Sequence, residues 1–188
     1  LCKGMSKLSL AQRITALSDA LDESQLVYAF GGAIALAFCV GEPRTTRDID
    51  VNVFVSPSDA QAVLDALPNT VARTKTDLER LLRDGQQRLD WQGTPLDIFL
   101  NVHDFHRDQA NRIRRVPFAD GTIPVLAPEA LAVFKAMFNR PKDWIDIGEM
   151  LRFPGTDWAA VTTALVNLVG EDDPRSERLR SLILESDL

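Results

Sequence analysis

Two spacings of apolar residues divide the first part of the chain into helices and strands. The segment 8–26 repeats apolar side chains every three or four positions, which predicts an amphipathic helix. Residues 26–30 form a short apolar run that ends at Gly31-Gly32, and this pattern predicts a buried strand. The Ala-rich segment 33–40 then predicts a second helix, because Gly41 directly after it is a common helix stop.

The middle of the chain carries the marks of further strands and turns. The β-branched run 49–55 predicts a strand, and Ser56-Pro57 after it predicts the start of a helix that reaches about Leu67. Two hairpins are predicted, one pairing 88–91 with 95–100 and the other pairing 116–118 with 122–125.

From Pro128 onward the pattern is helical throughout. Proline or capping residues begin each of four predicted helices, at 128–138, 141–151, 158–169 and 174–184. The fold class is therefore α/β (α+β): a mixed central sheet flanked by helices, with a helical C-terminal part. We expect an α/β body over residues 5–126 and a helical part over 127–188, packed together as one compact unit.

Composition agrees with a soluble domain that acts inside the cell. The 188 residues are 45% hydrophobic and 26% charged, which is enough chain to bury a core without disulfides. Cys2 and Cys39 are read as reduced thiols, which favours the cytoplasm. The longest apolar stretch, 33–40, is far shorter than the roughly 20 residues of a membrane helix, so no membrane partner is expected.

The net charge of −6 argues at first sight against a nucleic-acid partner. Half of it, however, lies in residues 171–188, which carry six acidic and three basic side chains. Two basic groups lie elsewhere, one within 73–88 and one within 107–115, and each could be a solvated face or a track for phosphates. The candidate RNA contacts are Arg112, Arg114 and Arg115.

Three aspartates carry the candidate chemistry. Asp48 and Asp50 stand two positions apart at the start of a predicted strand, so their side chains point to one face. Such a pair alone is weak evidence, because acids at a strand entrance are often exposed or salt-bridged. Asp97 lies inside an otherwise apolar strand, where a carboxylate is costly unless it is paired or bound to a cation. Together the three predict an oxygen-ligand site for two Mg²⁺ ions that supports phosphoryl transfer.

Gly31-Gly32 adds a candidate phosphate site. A strand that ends in glycines and opens into a helix exposes free backbone N–H groups at the positive end of the helix dipole. The alternative is a tight strand-to-helix turn that binds nothing.

The combination of Gly31-Gly32, Asp48-x-Asp50 and Asp97 resembles the polymerase-beta-type nucleotidyltransferase superfamily. Lys135 and the later Lys-Asp-x-x-Asp segment at 142–146 resemble the motifs of AbiEii and MenT-type nucleotidyltransferase toxins. The resemblance spans roughly residues 26–152 of the printed sequence. One departure is the second glycine, because many family members have serine there.

The resemblance implies a role for each matched residue. Asp48, Asp50 and Asp97 would hold the metal ions, and Lys135 would reach the β- or γ-phosphate of an NTP unless it is a surface lysine. Asp146 would orient Lys135, the nucleotide or an arginine. Asp143 is in the first turn of its helix, where an acid is favoured by the helix dipole alone.

The segment before Asp48 has its own implied roles. Arg44 and Arg47 could bind the triphosphate or the acceptor, or could simply neutralise the neighbouring aspartates. Thr46 matches a position at which the resemblance implies inactivating phosphorylation. His103 and His106 are interpreted as loop or surface residues rather than metal ligands, because no further ligand pattern accompanies them.

The resemblance therefore implies a toxin that transfers nucleotides, pyrimidines by similarity, from an NTP to the 3′ end of tRNA. Such transfer would block aminoacylation and translation, and a cognate antitoxin, either a protein inhibitor or a kinase, is expected. Two alternatives stay open at this point. One is nucleotidyl transfer to a small molecule, as in antibiotic modification, or to a protein, and the other is a non-catalytic regulatory binding module.

Overall fold

A mixed sheet of six strands runs through the computed structural model, which describes residues 8–42 and 45–186. The spatial order is β3-β4-β2-β1-β6-β5. β2 pairs with β1 antiparallel and with β4 parallel, while β1 and β6 are also parallel. The mixed sheet confirms the predicted fold class. The strands are β1 Tyr28–Phe30, β2 Ile49–Val53, β3 Gln86–Trp91, β4 Thr94–Phe99, β5 Arg114–Phe118 and β6 Gly121–Val125.

Helices surround this sheet, and after β6 the described chain is helical up to Ser186. Short 3-10 turns precede α3 and follow α5. No helix of the described residues has the length and apolarity that crossing a bilayer requires. The helices are α1 Leu10–Glu23, α2 Gly32–Val40, α3 Ala60–Ala66, α4 Lys75–Asp84, α5 Asp104–Asp108, α6 Pro128–Phe138, α7 Pro141–Met150, α8 Trp158–Val169 and α9 Pro174–Ser186.

Most predicted elements are present, and the exceptions have local reasons. The four helices predicted after Pro128 and both hairpins are confirmed within a few residues. The hairpin β3–β4 turns at Gln92 and Gly93, whose φ angles of 53° and 81° suit the turn type that joins antiparallel strands tightly. α4 was missed, although Thr74 and Asp77 form a capping box at its start, because it buries only Leu81.

α6 packs against helices from both ends of the chain. α6 contacts α2, α7 and α8, and its side chains are buried on most of its circumference. Lys135 lies among them and is only 5% exposed. This long-range packing places a lysine within the core. The assignment of 5–126 and 127–188 as a body and an attached part stays a prediction.

The Gly31-Gly32 turn is shaped by the close approach of β2. The Gly31 N–H donates to the carbonyl oxygen of Asp50 at 2.9 Å. Gly32 has a φ of +51°, and a Cβ atom built there would lie 1.9 Å from Asp50 Oδ2. Glycine is therefore required at Gly32 both by the backbone conformation and by the carboxylate beside it.

His106 corrects the interpretation of the two histidines as loop or surface residues. His103 is exposed, but His106 lies in α5, is 4% exposed and packs against the rings of Phe54 and Phe134. Burial lowers the pKa of His106 from 6.5 to about 4. The short helix α5 contains too few apolar residues to reveal this burial by periodicity.

Substitution of Gly32 by alanine is expected to destabilise the protein. The left-handed backbone alone costs a non-glycine residue about 1–2 kcal/mol, and the contact with Asp50 adds to it. Urea denaturation of wild type, Gly32→Ala and Gly148→Ala measures this. Gly148 is helical with open space around its Cβ position, so its alanine variant should be unchanged or about 0.5–1 kcal/mol more stable. Equal free energies of unfolding for the two variants would contradict the prediction.

The stability of the protein should fall in acid partly because of His106. The unfolded chain takes up a proton below pH 6.5, whereas folded His106 resists protonation down to about pH 4. Its contribution is complete above pH 6.5 and is lost at up to about 1.4 kcal/mol per pH unit as the pH falls toward 4. Denaturation between pH 7 and pH 4 should show a shallower slope for His106→Gln than for wild type. The exposed His103→Gln is the control, and a slope for His106→Gln equal to that of wild type would refute this explanation.

Candidate active site

The strand register brings the three predicted aspartates together. Asp50 on β2 and Asp97 on β4 are direct partners on adjacent parallel strands, and Asp48 precedes Asp50 by two residues. All three line one cleft of about 970 Å³, together with Gly32 and Lys135. The cleft therefore collects the aspartates, one glycine of the turn and the lysine of α6, which are far apart in sequence.

Arg88 holds two of these aspartates and was not predicted as a site residue. Its Nε donates to Asp97 Oδ1 at 2.8 Å, and its Nη2 donates to Asp97 Oδ2 at 2.6 Å and to Asp48 Oδ2 at 3.2 Å. Arg88 was grouped with the basic residues of 73–88, but it lies on β3 directly opposite Asp97. Arg88 and Asp97 are equally far along the chain from the tight turn at Gln92-Gly93. A two-residue turn at this place therefore predicts that they are partners in the hairpin.

Asp50 lies partly buried in the cleft beside two other carboxylates. Burial, and after it the negative charges of Asp97 and Asp48, raise the pKa of Asp50 from 3.8 to about 6. The positive charges of Lys135 and Lys142 act against this rise. Negative charge is therefore in excess around Asp50, and a bound cation would compensate it.

The donor set suits a hard divalent cation. Carboxylate oxygens are the ligands that Mg²⁺ prefers, and Asp48 and Asp97 already hold one cationic group, the Arg88 guanidinium. As the described side chains stand, no three His, Cys, Asp or Glu residues are arranged to enclose a metal ion. The carboxylate oxygens are nevertheless chemically suited to such an ion. The Arg88 guanidinium already binds to two of the carboxylates as a positive charge.

Lys135 and two acids of α7 form a buried charged network. Lys135 Nζ donates to Asp146 Oδ2 at 2.6 Å and lies 3.8 Å from Asp143 Oδ1. Arg140 Nε donates to the fully buried Asp143 at 2.7 Å. Lys135 is therefore a fixed group in the cleft wall and not a surface lysine, which corrects that alternative. Asp143 has a structural partner in Arg140, as its place in the first helical turn suggests.

The residues before Asp48 are placed differently from one another. Thr46 lines the cleft, and its hydroxyl both donates to the carbonyl oxygen of Asp48 and accepts from its N–H, at 3.1 and 3.2 Å. Arg47 is exposed and is not among the residues that line the cleft. Arg44 lies outside the described residues. Of the two described arginines, Arg88 and not Arg47 pairs with Asp48.

The predicted RNA contacts lie away from the cleft. Arg114 and Arg115 are on β5 at one edge of the sheet, and β1 and β6 separate that strand from the aspartates on β2. Arg115 Nη2 lies 3.8 Å from Asp22 Oδ1, and Arg112 is exposed at the end of a 3-10 turn. The structure does not bring this group to the site, and its contact with RNA stays a prediction.

Sequence reasoning missed the apolar rim of the cleft. Val102, Phe138 and Ile145 line it with 50%, 45% and 64% of their surface exposed. The Arg140 guanidinium lies 5.0 Å from the centre of the Phe138 ring, and Lys142 lines the same cleft. This combination of exposed apolar surface and cations beside a carboxylate cluster is suited to a ligand with both flat rings and phosphates.

Several solved structures share this fold. An antigenic nucleotidyltransferase-like protein from Paracoccidioides brasiliensis is 20% identical, with a TM-score of 0.52 and coverage of 91% of this chain and 92% of that one. The antibiotic-resistance factor ANT(2'')-Ia is 16% identical, with a TM-score of 0.54 and coverage of 93% and 89%. The lincosamide adenylyltransferase LnuA is 16% identical, with a TM-score of 0.52 and coverage of 77% and 98%. These similarities establish the nucleotidyltransferase fold.

A family model identifies the group within this fold, although no curated protein sequence matches the chain. The model is described as a nucleotidyl transferase AbiEii toxin of a type IV toxin–antitoxin system, and it matches residues 14–187. Because that match takes in all three aspartates, Arg88 and the Lys135 network, the chain belongs to the AbiEii nucleotidyltransferase toxin family.

Proposed function

We propose that this nucleotidyltransferase is metal-dependent and adds nucleotides, pyrimidines by preference, from an NTP to the 3′ end of tRNA. The observation that carries the proposal is the cleft in which Asp48, Asp50 and Asp97 face the same space as Lys135. A pure binding module would gain nothing from carboxylates crowded on adjacent strands, since the charges of Asp97 and Asp48 raise the cost of ionising Asp50. The site therefore favours catalysis over the regulatory alternative.

The aspartates would hold two Mg²⁺ ions, with Asp97 on the side of the attacking hydroxyl. When bound, the ions would supply positive charge for the phosphates and the attacking oxygen. The 3′ oxygen forms a bond to the α-phosphorus, and the bond from that phosphorus to the β-phosphate oxygen breaks. Pyrophosphate leaves with the electron pair, and a carboxylate oxygen of Asp97 accepts the hydroxyl proton.

Lys135 and the glycine turn would bind the triphosphate. Lys135 uses one of its three N–H donors on Asp146, which leaves donors for phosphate oxygens while fixing the position of the ammonium group. Gly32 lines the cleft at the start of α2, where the helix dipole favours an anion. The predicted role of Gly31 is restricted to shaping this turn, because its N–H is already donated to the Asp50 carbonyl oxygen. Asp146 is thus a positioning residue for Lys135.

The apolar rim supports a nucleic-acid acceptor. The unpaired 3′ end of an RNA presents bases that stack on aromatic rings, and Phe138 offers such a ring beside Arg140 at the cleft. The Arg112, Arg114 and Arg115 group, at the far edge of the sheet, would contact a more distant part of a large acceptor. A small antibiotic acceptor would have no use for that group.

An antitoxin partner follows from membership of a type IV toxin–antitoxin family. We propose that the protein acts in the cytoplasm, where NTPs and tRNA are present, and that Thr46 is the residue through which a kinase antitoxin would act. Phosphorylation of its hydroxyl would end the donation to the Asp48 carbonyl and would add a charge of about −1.5 to −2 beside the aspartates. Both effects oppose binding of a triphosphate.

Incubation of the protein with total tRNA, Mg²⁺ and each α-labelled NTP in turn tests the acceptor and the site together. Label should enter tRNA with wild type, most strongly with a pyrimidine NTP. Asp48→Ala should lower the incorporation at least about 100-fold, the scale of losing one charge contact in the transition state. Asp19→Ala, which removes an exposed acid on α1, is the matched control and should keep full activity.

Two outcomes of that experiment would contradict the proposal in different ways. Full incorporation by Asp48→Ala would overturn the assignment of the aspartates. Absence of label in RNA, with label in a protein or in a small-molecule acceptor supplied alongside, would replace tRNA by the alternative acceptor class.

The role of Thr46 predicts a difference between two isosteric variants. Thr46→Glu adds a negative charge near Asp48, whereas Thr46→Gln removes the same hydroxyl without adding charge. Nucleotide incorporation should fall much further in Thr46→Glu than in Thr46→Gln, through a higher KM for NTP. Equal activity of the two variants would show that charge at this position does not regulate the enzyme.

A further inference from the structure

Arg88 is bonded to the groups that the proposed metal ions need. Its fork-shaped guanidinium donates to both carboxylate oxygens of Asp97 and to one oxygen of Asp48. The Asp97 side chain is only 15% exposed, while Arg88 is 60% exposed, so the arginine covers the carboxylate from the solvent side. Such a two-point contact is the strongest form of an arginine–carboxylate pair.

A divalent cation and this guanidinium cannot use the same carboxylate face. Both Asp97 oxygens already accept an N–H, and a second positive charge within about 4 Å of the first is repelled. The Arg88 guanidinium cannot be removed by a change of pH near neutrality, because an arginine side chain stays protonated throughout that range. Only another cation at the aspartates can take its place.

We infer that Arg88 is the resident counter-ion of the metal site, and that binding of the first divalent cation at Asp97 and Asp48 and release of Arg88 are one exchange. The inference rests on the proposed metal-dependent function for the place of the metal. Without a metal ion, the Arg88 guanidinium would hold the carboxylates of Asp97 and Asp48 together. Metal binding would be weaker as a result, because the ion has to displace this guanidinium.

The place of Arg88 on the hairpin β3–β4 would allow this exchange. Arg88 and Asp97 are register partners across β3 and β4, so the guanidinium is held beside the carboxylate by backbone pairing. β3 is the outer strand of the sheet. A side chain that points from this exposed edge can swing into solvent without disturbing the core, whereas the aspartates remain in place on the inner strands.

Metal affinity measured without turnover tests the exchange. Isothermal titration of the whole protein with Mn²⁺ should give a Kd at least about fivefold lower for Arg88→Met than for wild type, the scale expected when an exposed two-point ion pair no longer competes. Arg107→Met is the matched control, because Arg107 is 63% exposed and pairs with Asp104 at 2.9 Å. It removes the same charge and should leave the Kd within twofold of wild type.

The outcomes separate this inference from the proposed function. A Kd for Arg88→Met that is equal to or higher than that of wild type overturns the inference alone. Absence of Mn²⁺ binding in wild type and in Arg88→Met, with both folded, overturns the metal dependence and the inference with it. A lower Kd in Arg88→Met but not in Arg107→Met supports the exchange whatever the acceptor of the enzyme is.

A second measurement on wild type does not depend on the folding of Arg88→Met. The Nε–H proton of Arg88, assigned by its absence in Arg88→Lys, should shift in NMR spectra when saturating Mg²⁺ breaks its bond to Asp97. An Nε–H signal that stays in place at saturating Mg²⁺ would overturn the exchange.

Discussion

The crowding of carboxylates at one place on the sheet is the constraint on which the rest of the site depends. Asp50 and Asp97 are held opposite each other by the backbone hydrogen bonds of two parallel strands, and neither can move apart without breaking that pairing. Burial and mutual repulsion raise the pKa of Asp50 to about 6. Positive charge has to be supplied, and among the residues that the structure describes Arg88, Lys135 and Lys142 supply it.

These cations are arranged with different degrees of freedom. Lys135 is buried in α6 and bound to Asp146, and removal of one partner from such a buried pair leaves an uncompensated charge in the core. Arg88 is exposed on an outer strand, where the proposed exchange of partners would leave the core undisturbed. A buried cation and an exposed one thus line the same cleft, which suits a site that would admit a charged substrate.

The distribution of charged residues also affects which acceptor the protein would recognise. The protein is negative overall, and its basic cluster on β5 is separated from the aspartates by two strands. At the cleft itself, exposed apolar side chains accompany Arg140 and Lys142. Recognition at the reacting end would therefore depend on stacking and a few cations, while the distant arginines would act only on an acceptor large enough to reach them.

The sequence by itself determined most of the helices and strands, the glycine turn and the three aspartates, because these depend on local periodicity, on turn residues and on spacing along one strand. The helices α4 and α5 were not among them. The close approach that requires Gly32, the burial of His106 and Lys135, and the pairing of Arg88 with Asp97 were decided by the tertiary structure. Strand register and helix packing join residues that are distant in the chain, and such contacts leave no periodic trace in the residues that make them. Arg88 is an intermediate example. The turn at Gln92-Gly93 determines its partner in the hairpin, but only the adjoining β2 strand shows that this partner belongs to a cluster of carboxylates.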